Sequence, residues 1–410
     1  MQLTINKSRL MKRLSELARI GAFSDGGVCR LALTDEDKAA RDQVMQWMKD
    51  LHLQTHIDQV GNLIGVRPGA KDIAPIVIGS HIDTVPTGGR FDGAAGVMAG
   101  LEAIESLNEY KIQTERPVAV VTFTNEEGVR YHNDLLGSRA FCGYISPEEA
   151  YKTVGTDHTI FGEELKRIGF AGEFPSGSIR PHAFLELHIE QGPVLDREQV
   201  SIGVVEAITG IAWYEITIQG EANHAGTTPI SMRQDAGLTA ARIITYLREI
   251  ANSLGENQRA TCGAISFYPN AINVIPEKAT LSIDLRNPDK TTLEEAEQRL
   301  LDFLEKCTIQ DNVQIETQRL AWVEPRACHT DIISTIIEAT NELGYSHKTM
   351  VSGAVHDALT MASYCPTGMI FVPSKGGVSH NPAEYTSADE LEAGANVLLK
   401  TVLKLSQQKM

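Results

Sequence analysis

Short apolar runs alternate with amphipathic stretches in the first half of the chain. Three runs, 76–80, 117–124 and 183–189, are almost entirely hydrophobic. Such runs are typical of parallel strands that helices cover on both faces. Each run ends in polar residues, and ligands of open α/β sheets bind at the carboxyl ends of the strands. We therefore predict an α/β domain with a mostly parallel sheet and a functional site along one sheet edge.

The pattern changes from about Gly210 onward. Strand, helix, strand, strand, helix and strand are predicted there in turn, at 213–220, 235–254, 260–268, 273–284, 291–307 and 313–321. This order is that of a ferredoxin-like α+β domain. After Pro325 the α/β pattern resumes, with a helix, an apolar strand and a final helix at 330–343, 368–372 and 388–405. We predict a discontinuous first domain, 1–209 and 325–410, and an inserted domain, 210–324, that hinges over it as a lid.

Composition and charge narrow the range of possible functions and partners. The chain has 410 residues and a net charge of −16, which disfavours nucleic acid and anionic membranes because both require clustered basic side chains. Its six cysteines are scattered without C-x-x-C spacing, which indicates reduced thiols. Residues 1–21 have the pattern of an amphipathic helix rather than a signal peptide, and no apolar run reaches the length of a membrane span. We expect a cytoplasmic protein.

Polar residues at the end of the first apolar run form an H-x-D motif, His81 and Asp83. Residues two apart in a strand share a face, so the two side chains can cooperate. A histidine that binds metal commonly donates its other ring N–H to a carboxylate. A surface pair at a strand end is the alternative interpretation.

Carboxylates follow at Asp92, where a helix begins, and at Glu126 and Glu127, after the second run. For Asp92 the alternative is a helix N-cap. Adjacent carboxylates beside a buried strand are costly unless a cation lies between them. One of the pair is then a metal ligand and the other a general base, while a solvated strand end is the alternative.

Two further histidines complete the set of candidate metal ligands. His188 lies in a strand that alternates apolar residues with Glu, His and Glu, where a core histidine is the alternative, and His380 lies in a glycine-rich loop. Histidine and carboxylate without thiolate suit Zn²⁺, Mn²⁺, Co²⁺ or Ni²⁺. Five ligands with one bridging carboxylate fit a pair of ions. Walker A and G-x-S-x-G motifs are lacking, so nucleotide-binding and serine-hydrolase functions are unsupported.

The order H-x-D, D-G, E-E-G, H-I-E-Q-G and S-H-N-P-A-E resembles the M20 metallopeptidase superfamily, and within it the hydantoinase/carbamoylase amidohydrolases. His188 stands where many peptidase relatives have an acidic ligand, which favours the amidohydrolase branch. The resemblance implies two divalent ions, a general base and a carboxylate that orients a ligand. It assigns Asp92 as the bridge, His81 with His188 and Glu127 with His380 as the two ligand pairs, Glu126 as the base, and Asp83 as the partner of His81.

The same resemblance gives residues of the inserted domain a role. The motif N-H-A-G-T-T-P contains His224, which is expected to polarise the substrate carbonyl, often across a dimer interface. Asn273 and Arg286 are expected to hold a substrate carboxylate, which the planar fork of arginine grips in two bonds. A homodimer through the inserted domain is implied. Further pocket-lining residues are Gln191 and, in the loop 352–357, Gly353 and Ala354, although Val355 stands where relatives often carry glycine.

The implied activity is hydrolysis of the ureido C–N bond of N-carbamoyl-L-amino acids to amino acid, ammonia and carbon dioxide. Residues 210–213 are apolar and aromatic, which favours this substrate over allantoate, the substrate of the nearest alternative. An aminoacylase or dipeptidase is a second alternative with the same chemistry. A catalytically inactive two-domain ligand-binding protein is a third, and the intact Glu126 argues against it.

Overall fold

The computed structural model describes residues 3–407. Its strands are β1 (Gln54–Ile57), β2 (Leu63–Arg67), β3 (Ile76–His81), β4 (Val118–Phe123), β5 (Ala183–Ile189), β6 (Ile202–Ile208), β7 (Gly210–Gln219), β8 (Arg259–Tyr268), β9 (Lys278–Asn287), β10 (Gln314–Val323), β11 (Arg326–Ala327), β12 (His347–Ser352) and β13 (Thr367–Val372). Its helices are α1 (Lys7–Ala18), α2 (Asp35–Asp50), α3 (Ala94–Glu109), α4 (Leu136–Phe141), α5 (Pro147–Ala150), α6 (Phe161–Arg167), α7 (Val194–Glu198), α8 (Ala236–Ser253), α9 (Lys290–Gln310), α10 (Thr330–Leu343), α11 (Asp357–Ala362) and α12 (Ala388–Gln407), with 3₁₀ turns at Ile230–Met232 and Lys375–Gly377.

The chain forms two compact units. The first unit comprises Met1–Glu206 and Ala327–Met410, and the second unit comprises Ala207–Arg326. Within residues 3–407 we find no helix that combines the length and the apolar character needed to cross a membrane.

The first unit is built on a nine-stranded sheet with the path β1-β2-β4-β3-β5-β13-β6-β11, and β12 pairs with β6. Its centre, β4-β3-β5-β13, is parallel, and all residues of these four strands are buried. The mostly parallel α/β sheet predicted from the apolar runs is confirmed there. Around this centre the pairs β1–β2, β2–β4 and β13–β6 are antiparallel. The sequence did not predict β1, β2 and β6.

Helices cover the sheet and bring the site residues to its edge. The helix α3 is buried along most of its length and packs on β3, β4 and β5, while α12 packs on α3 and β13. The helix α1 begins where the Asn6 side chain accepts the Arg9 N–H and buries Leu10, Leu14 and Leu17. Because β4, β3, β5 and β13 run in parallel, the segments that follow them meet at one edge.

The second unit contains a four-stranded sheet with the order β10-β7-β9-β8, antiparallel throughout. In chain order this is 4-1-3-2, and with α8 and α9 packed on the sheet the predicted ferredoxin-like plan is confirmed. The strand predicted at 273–284 instead begins at Lys278. Pro276 has no backbone N–H to donate to a ladder, and residues 273–277 form an irregular segment ahead of the strand.

Candidate metal centre and active site

Asp92 lies at the centre of a cluster of histidines and carboxylates. Its Oδ1 atom is 3.1 Å from His188 Nε2 and 3.7 Å from His81 Nε2. Its Oδ2 atom is 3.3 Å from Nε2 of His380, which itself is 3.6 Å from Oε2 of Glu127. The two oxygens of one carboxylate therefore face two different sets of donor atoms.

These donors form two groups that share Asp92. His81, Asp92 and His188 have ligand atoms within 4.8 Å of one another, and so do Asp92, Glu127 and His380. Each group can hold a metal ion. The structure thus brings together all five residues that the sequence predicted as ligands, from the ends of β3 and β5, the loop after β4, the segment before α3 and the loop after β13.

Two other groups meet the same distance limit, namely Glu186 with His188 and His356, and His81 with Glu126 and Glu127. Glu186 is engaged elsewhere, because its oxygens accept hydrogen bonds from Ser80 Oγ at 2.8 Å and from the Ala358 N–H at 2.8 Å. The Nε2 atom of His356 lies 2.9 Å from Ser352 Oγ. These bonds disfavour the group of Glu186, His188 and His356 as a metal site.

Hydrogen bonds fix the tautomers of the two buried histidines. The Nδ1 atom of His81 lies 2.9 Å from the Asp83 carbonyl oxygen, and that of His188 lies 2.9 Å from the Ile189 carbonyl oxygen. A carbonyl only accepts, so Nδ1 carries a proton in both rings and Nε2 is the nitrogen that faces the cluster. Although burial opposes it, the hydrogen bond to Asp92 raises the pKa of His188 to about 9, so a metal would have to displace a proton from its Nε2. Burial lowers the pKa of His81 to about 4, which keeps this side chain neutral. Hydrogen bonding at Nδ1 thereby orients both Nε2 atoms for a metal.

Asp83 contacts His81 differently from the expected carboxylate–histidine pair. Its carboxylate lies 3.8 Å from His81 Nδ1, and the backbone carbonyl makes the hydrogen bond instead. The carboxylate oxygens accept the backbone N–H groups of Glu126 at 3.2 Å and Glu127 at 3.3 Å. The Asp83 carboxylate thus holds two amides of the neighbouring loop, and its role as the partner of His81 stays a prediction.

Asp92 does not cap α3, so the N-cap alternative is wrong. The cap position is Gly93, which has φ +62° and ψ −49° and makes no side-chain cap. The Ala94 N–H donates to the Asp92 carbonyl at 2.5 Å, which closes a γ-turn around Gly93. This turn releases the Asp92 side chain towards the histidines. A Cβ atom at Gly93 would lie 2.4 Å from His81 Nε2, so only glycine fits.

Glu126 and Glu127 are adjacent carboxylates in a buried site that holds further negative charge. Burial, together with neighbouring carboxylates, raises the pKa of both groups well above the ordinary value. Glu126 is 8% exposed and its Oε2 lies 3.6 Å from His81 Nε2. A divalent ion would stabilise these buried carboxylates in their charged form. The residues present therefore fit a metal centre with an additional carboxylate beside it.

In the second unit, the motifs around His224 and Asn273 lie side by side. His224 forms an isolated bridge with Val274, and the Ala225 N–H donates to the Asn273 carbonyl at 3.0 Å. The Gly226 N–H donates to Nδ1 of His224 at 3.0 Å, so a neutral His224 carries its proton on Nε2. His224 and Asn273 are both exposed. A hydrogen-bond donor is thus presented to solvent.

Arg286 lies on the face of β9 opposite the helices of the second unit, with Asp284 two residues before it. Its Nε atom donates to Asp284 at 3.0 Å and its NH2 group donates at 2.9 Å. The guanidinium is held in a defined orientation by a carboxylate of its own strand.

The predicted pocket residues of the first unit lie around the cluster. The Gln191 Nε2 amide donates to Asp92 Oδ2 at 2.8 Å, so this side chain contacts the shared carboxylate directly. Gly353 is exposed, and Ala354 donates its N–H to Ser352 Oγ at 3.3 Å. The loop continues into His356, whose ring centroid lies 4.4 Å from that of His188.

The sequence motifs predicted no role for Glu186 or Glu384. Glu186 joins β3 to the start of α11 through its bonds to Ser80 and Ala358. Glu384 accepts the backbone N–H groups of Phe91 and Asp92. Glu384 ends the S-H-N-P-A-E motif, and Glu186 lies in the alternating strand two residues before the H-I-E-Q-G motif. The sequence did not reveal that both side chains are buried.

The site consists of histidine nitrogens and carboxylate oxygens at the carboxyl edge of an α/β sheet, with a further buried glutamate beside them. Such a site defines a metal-dependent hydrolase. The profile of peptidase family M20/M25/M40 matches residues 77–404, and the chain belongs to that family. The resemblance inferred from the motif order is confirmed.

Individual relatives are similar over nearly the whole length. An N-carbamoyl-L-amino-acid amidohydrolase from Rhizobium meliloti is 39% identical over 98% of this chain and 97% of its own. An allantoate amidohydrolase from Bacillus subtilis is 35% identical over 98% of each chain. The crystal structure of an amidase of the hydantoinase/carbamoylase family from Burkholderia multivorans is 41% identical, covers 100% of both chains and has a TM-score of 0.97.

Proposed function

We propose that this protein hydrolyses the ureido C–N bond of N-carbamoyl-L-amino acids with the help of two divalent metal ions. The observation that carries the proposal is the position of Asp92, whose two oxygens face separate donor groups while Glu126 lies beside one of them. A bridging carboxylate and an unshared buried glutamate are the parts that two-metal hydrolysis needs.

Two sets of three residues would hold the ions: His81, His188 and Asp92 for one, and Glu127, His380 and Asp92 for the other. The donor chemistry suits Zn²⁺, Mn²⁺, Co²⁺ or Ni²⁺. When bound, such ions lower the pKa of a water molecule and polarise a carbonyl group.

Glu126 is the proposed general base and acid. It takes a proton from the attacking water as the water oxygen bonds to the ureido carbon. It then gives that proton to the nitrogen of the departing amino acid as the C–N bond breaks. The carbamic acid that remains decomposes to ammonia and carbon dioxide. The position of Glu126 supports this role, because this buried carboxylate lies beside His81 and outside both proposed ligand sets, free to accept and return a proton.

Residues of the second unit are proposed to bind the substrate. His224 would donate its Nε2 proton to the developing oxyanion, which the fixed tautomer supports. Asn273 and Arg286 would hold the substrate carboxylate, with Asp284 keeping the guanidinium oriented. Gln191, Gly353 and Ala354 are proposed to line the pocket.

N-carbamoyl-L-amino acids are preferred over allantoate because the segment Gly210, Ile211, Ala212 is buried and apolar and leads into a partly exposed Trp213. The relative with 39% identity also carries that activity in its name. Allantoate is the second candidate, supported by the 35% identical relative. An aminoacylase or dipeptidase is less favoured, since His188 replaces an acidic ligand.

A homodimer through the second unit is part of the proposal. The strand β8 is at the edge of its sheet and exposes Ile265, Phe267 and Tyr268. An unpaired edge with apolar side chains favours pairing with another chain. A cytoplasmic location is supported by the cysteines, all six of which are free thiols.

An ammonia-release assay tests the proposal. The metal-depleted protein is reloaded with Mn²⁺ or Zn²⁺ and offered N-carbamoyl-L-amino acids, allantoate, N-acetyl amino acids and dipeptides, with free amino acid measured alongside. We expect the highest kcat/KM with an N-carbamoyl-L-amino acid and no turnover in the presence of chelator. Preferred turnover of allantoate would replace the substrate assignment, and activity that survives full metal removal would refute the metal assignment.

A further inference from the structure

Glu384 joins two loops that carry proposed metal ligands. This side chain is 3% exposed and lies four residues after His380. Its Oε1 atom accepts the backbone N–H groups of Phe91 at 3.0 Å and Asp92 at 3.2 Å. Its Oε2 atom accepts the Ser379 hydroxyl at 2.9 Å. One buried carboxylate therefore connects the loop before α3 to the loop after β13.

Ser379 completes a closed ring of contacts, in which its single hydroxyl proton is donated to Glu384 and its oxygen also lies near Asp92. Its Oγ atom lies 2.9 Å from Glu384 Oε2 and 3.3 Å from Asp92 Oδ2, the oxygen that faces His380. The ring runs from the Asp92 carboxylate through Ser379 and Glu384 back to the Asp92 amide. It therefore couples the side chain and the backbone of Asp92 to the residue next to His380.

His380 depends on such support more than the other ligands do. Its side chain is 51% exposed and its backbone has φ +53°, a region that L residues rarely adopt. The turn that follows it is held by Asn381, whose side chain accepts the Ala383 N–H at 2.9 Å and whose carbonyl accepts the Glu384 N–H at 2.9 Å. This turn leads directly into the buried Glu384.

The loop before α3 is shaped around this carboxylate. A Cβ atom at Gly89 would lie 2.2 Å from Glu384 Cδ, 2.2 Å from its Oε1 and 2.5 Å from its Cβ. No side chain fits at position 89 unless Glu384 moves. The glycine therefore allows the backbone to close over the carboxylate and bring its amides into contact.

We propose that Glu384 is a positioning residue that fixes the distance between Asp92 and His380 and thereby sets the affinity of the ion held by Asp92, Glu127 and His380. The ion held by His81, His188 and Asp92 depends on it less, because both histidines belong to β3 and β5 of the central sheet. This inference rests on the proposed two-metal function.

Calorimetric titration of the metal-free protein with Co²⁺ alone tests the inference. Wild type should bind two equivalents. Glu384→Ala should leave the first equivalent little changed and weaken the second about 10- to 100-fold, the range seen when partners that orient metal ligands are removed. Glu384→Gln keeps an acceptor oxygen for the two amides and should lose less. Gly89→Ala should reproduce the loss by displacing an intact Glu384, which keeps the test valid if Glu384→Ala fails to fold.

Glu102→Gln is the matched control. Glu102 is also a fully buried glutamate of the first unit, and its carboxylate pairs with Arg9 and Arg13 on α1, outside the ligand cluster. It should lower the Tm and leave both Co²⁺ affinities unchanged. If wild type binds only one equivalent, the two-metal proposal fails. If wild type binds two and Glu384→Ala retains both affinities, or weakens both equally, the positioning role is refuted.

Discussion

Gly93→Ala provides a sharp test of the histidine–carboxylate centre. Gly93 holds φ +62° in the turn that aims the Asp92 side chain, and a Cβ atom there would meet His81 Nε2 at 2.4 Å and the adjacent ring carbons at 2.5 Å. A carbon and a nitrogen in van der Waals contact lie about 3.5 Å apart, so the imidazole must move by about 1 Å. The substitution therefore displaces one ligand without removing any.

Two effects add in this variant. An alanine in the left-handed helical region costs about 1–2 kcal/mol in the folded state. The γ-turn geometry of Gly93, with ψ −49°, is more strained than that for an L residue. Displacement of His81 costs metal affinity in addition, and we expect a loss of at least about 100-fold for the ion held by His81, His188 and Asp92. The backbone strain and the clash both lower the stability of the metal-free protein, while the loss of metal affinity is measured only when metal is titrated.

Gly344→Ala separates the two effects. Gly344 ends α10 with φ +76°, and nothing lies within 4 Å of the Cβ that alanine would add. When metal-free, Gly344→Ala should lose only the cost of left-handed backbone and Gly93→Ala should lose more, measured by denaturant unfolding, because Gly93 also has γ-turn geometry and a clash with His81. Competition with a chromophoric chelator should show wild-type metal affinity for Gly344→Ala and the 100-fold loss for Gly93→Ala. Equal metal affinities in the two variants would show that His81 does not bind metal.

Three further outcomes are expected. Glu126→Gln should retain both metal ions, measured by elemental analysis, yet lose at least about 100-fold in kcat, and a near-normal rate would remove Glu126 as the base. Arg286→Ala should raise KM strongly for substrates with a carboxylate while the Tm changes little, and an unchanged KM would exclude that contact. Burial raises the pKa of Glu126 and Glu127 well above their ordinary values. Burial would lower the pKa of His188, but the hydrogen bond with Asp92 outweighs it and raises that pKa to about 9. The metal-free folded protein then holds protons that the unfolded chain has released. The stability that His188 contributes is complete below about pH 6.5 and is lost up to about pH 9, by about 1.4 kcal/mol per pH unit. The contribution of the two glutamates starts to fall near their unfolded pKa of 4.5, in the same direction. Added metal should flatten this slope, and a metal-free stability that rises with pH would contradict the shifts.

Hydrophobic patterning was sufficient where strands are buried on both faces. The strands β3, β4 and β5 are continuous apolar runs, and each lies within a residue or two of its predicted bounds. By contrast, β1 has the sequence QTHI and is only partly buried, so its pairing depends on β2 rather than on its own composition. Short antiparallel edges of this kind carry little local signal.

The metal ligands were predictable because each follows or ends a recognisable strand or opens a helix. What the sequence could not reveal is which atom makes each contact. The bond to His81 comes from the backbone carbonyl of Asp83, and the turn at Gly93 frees Asp92 from helix capping. Such details depend on backbone geometry that residue types leave open. Glu384 was within a recognised motif, but its role depends on contacts nearly 300 positions away in the chain.

The order of the strands also has a consequence for biosynthesis. In the sheet, β13 lies between β5 and β6, yet it follows the whole second unit in the chain. A ribosome therefore releases β5 and β6 long before the strand that separates them is made. The sheet of the first unit therefore stays incomplete until β13 emerges. A nascent chain that stops before β13 leaves the edge of β5 unpaired and exposed to chaperones and proteases. Only a chain translated beyond β13 can fill the gap and supply His380.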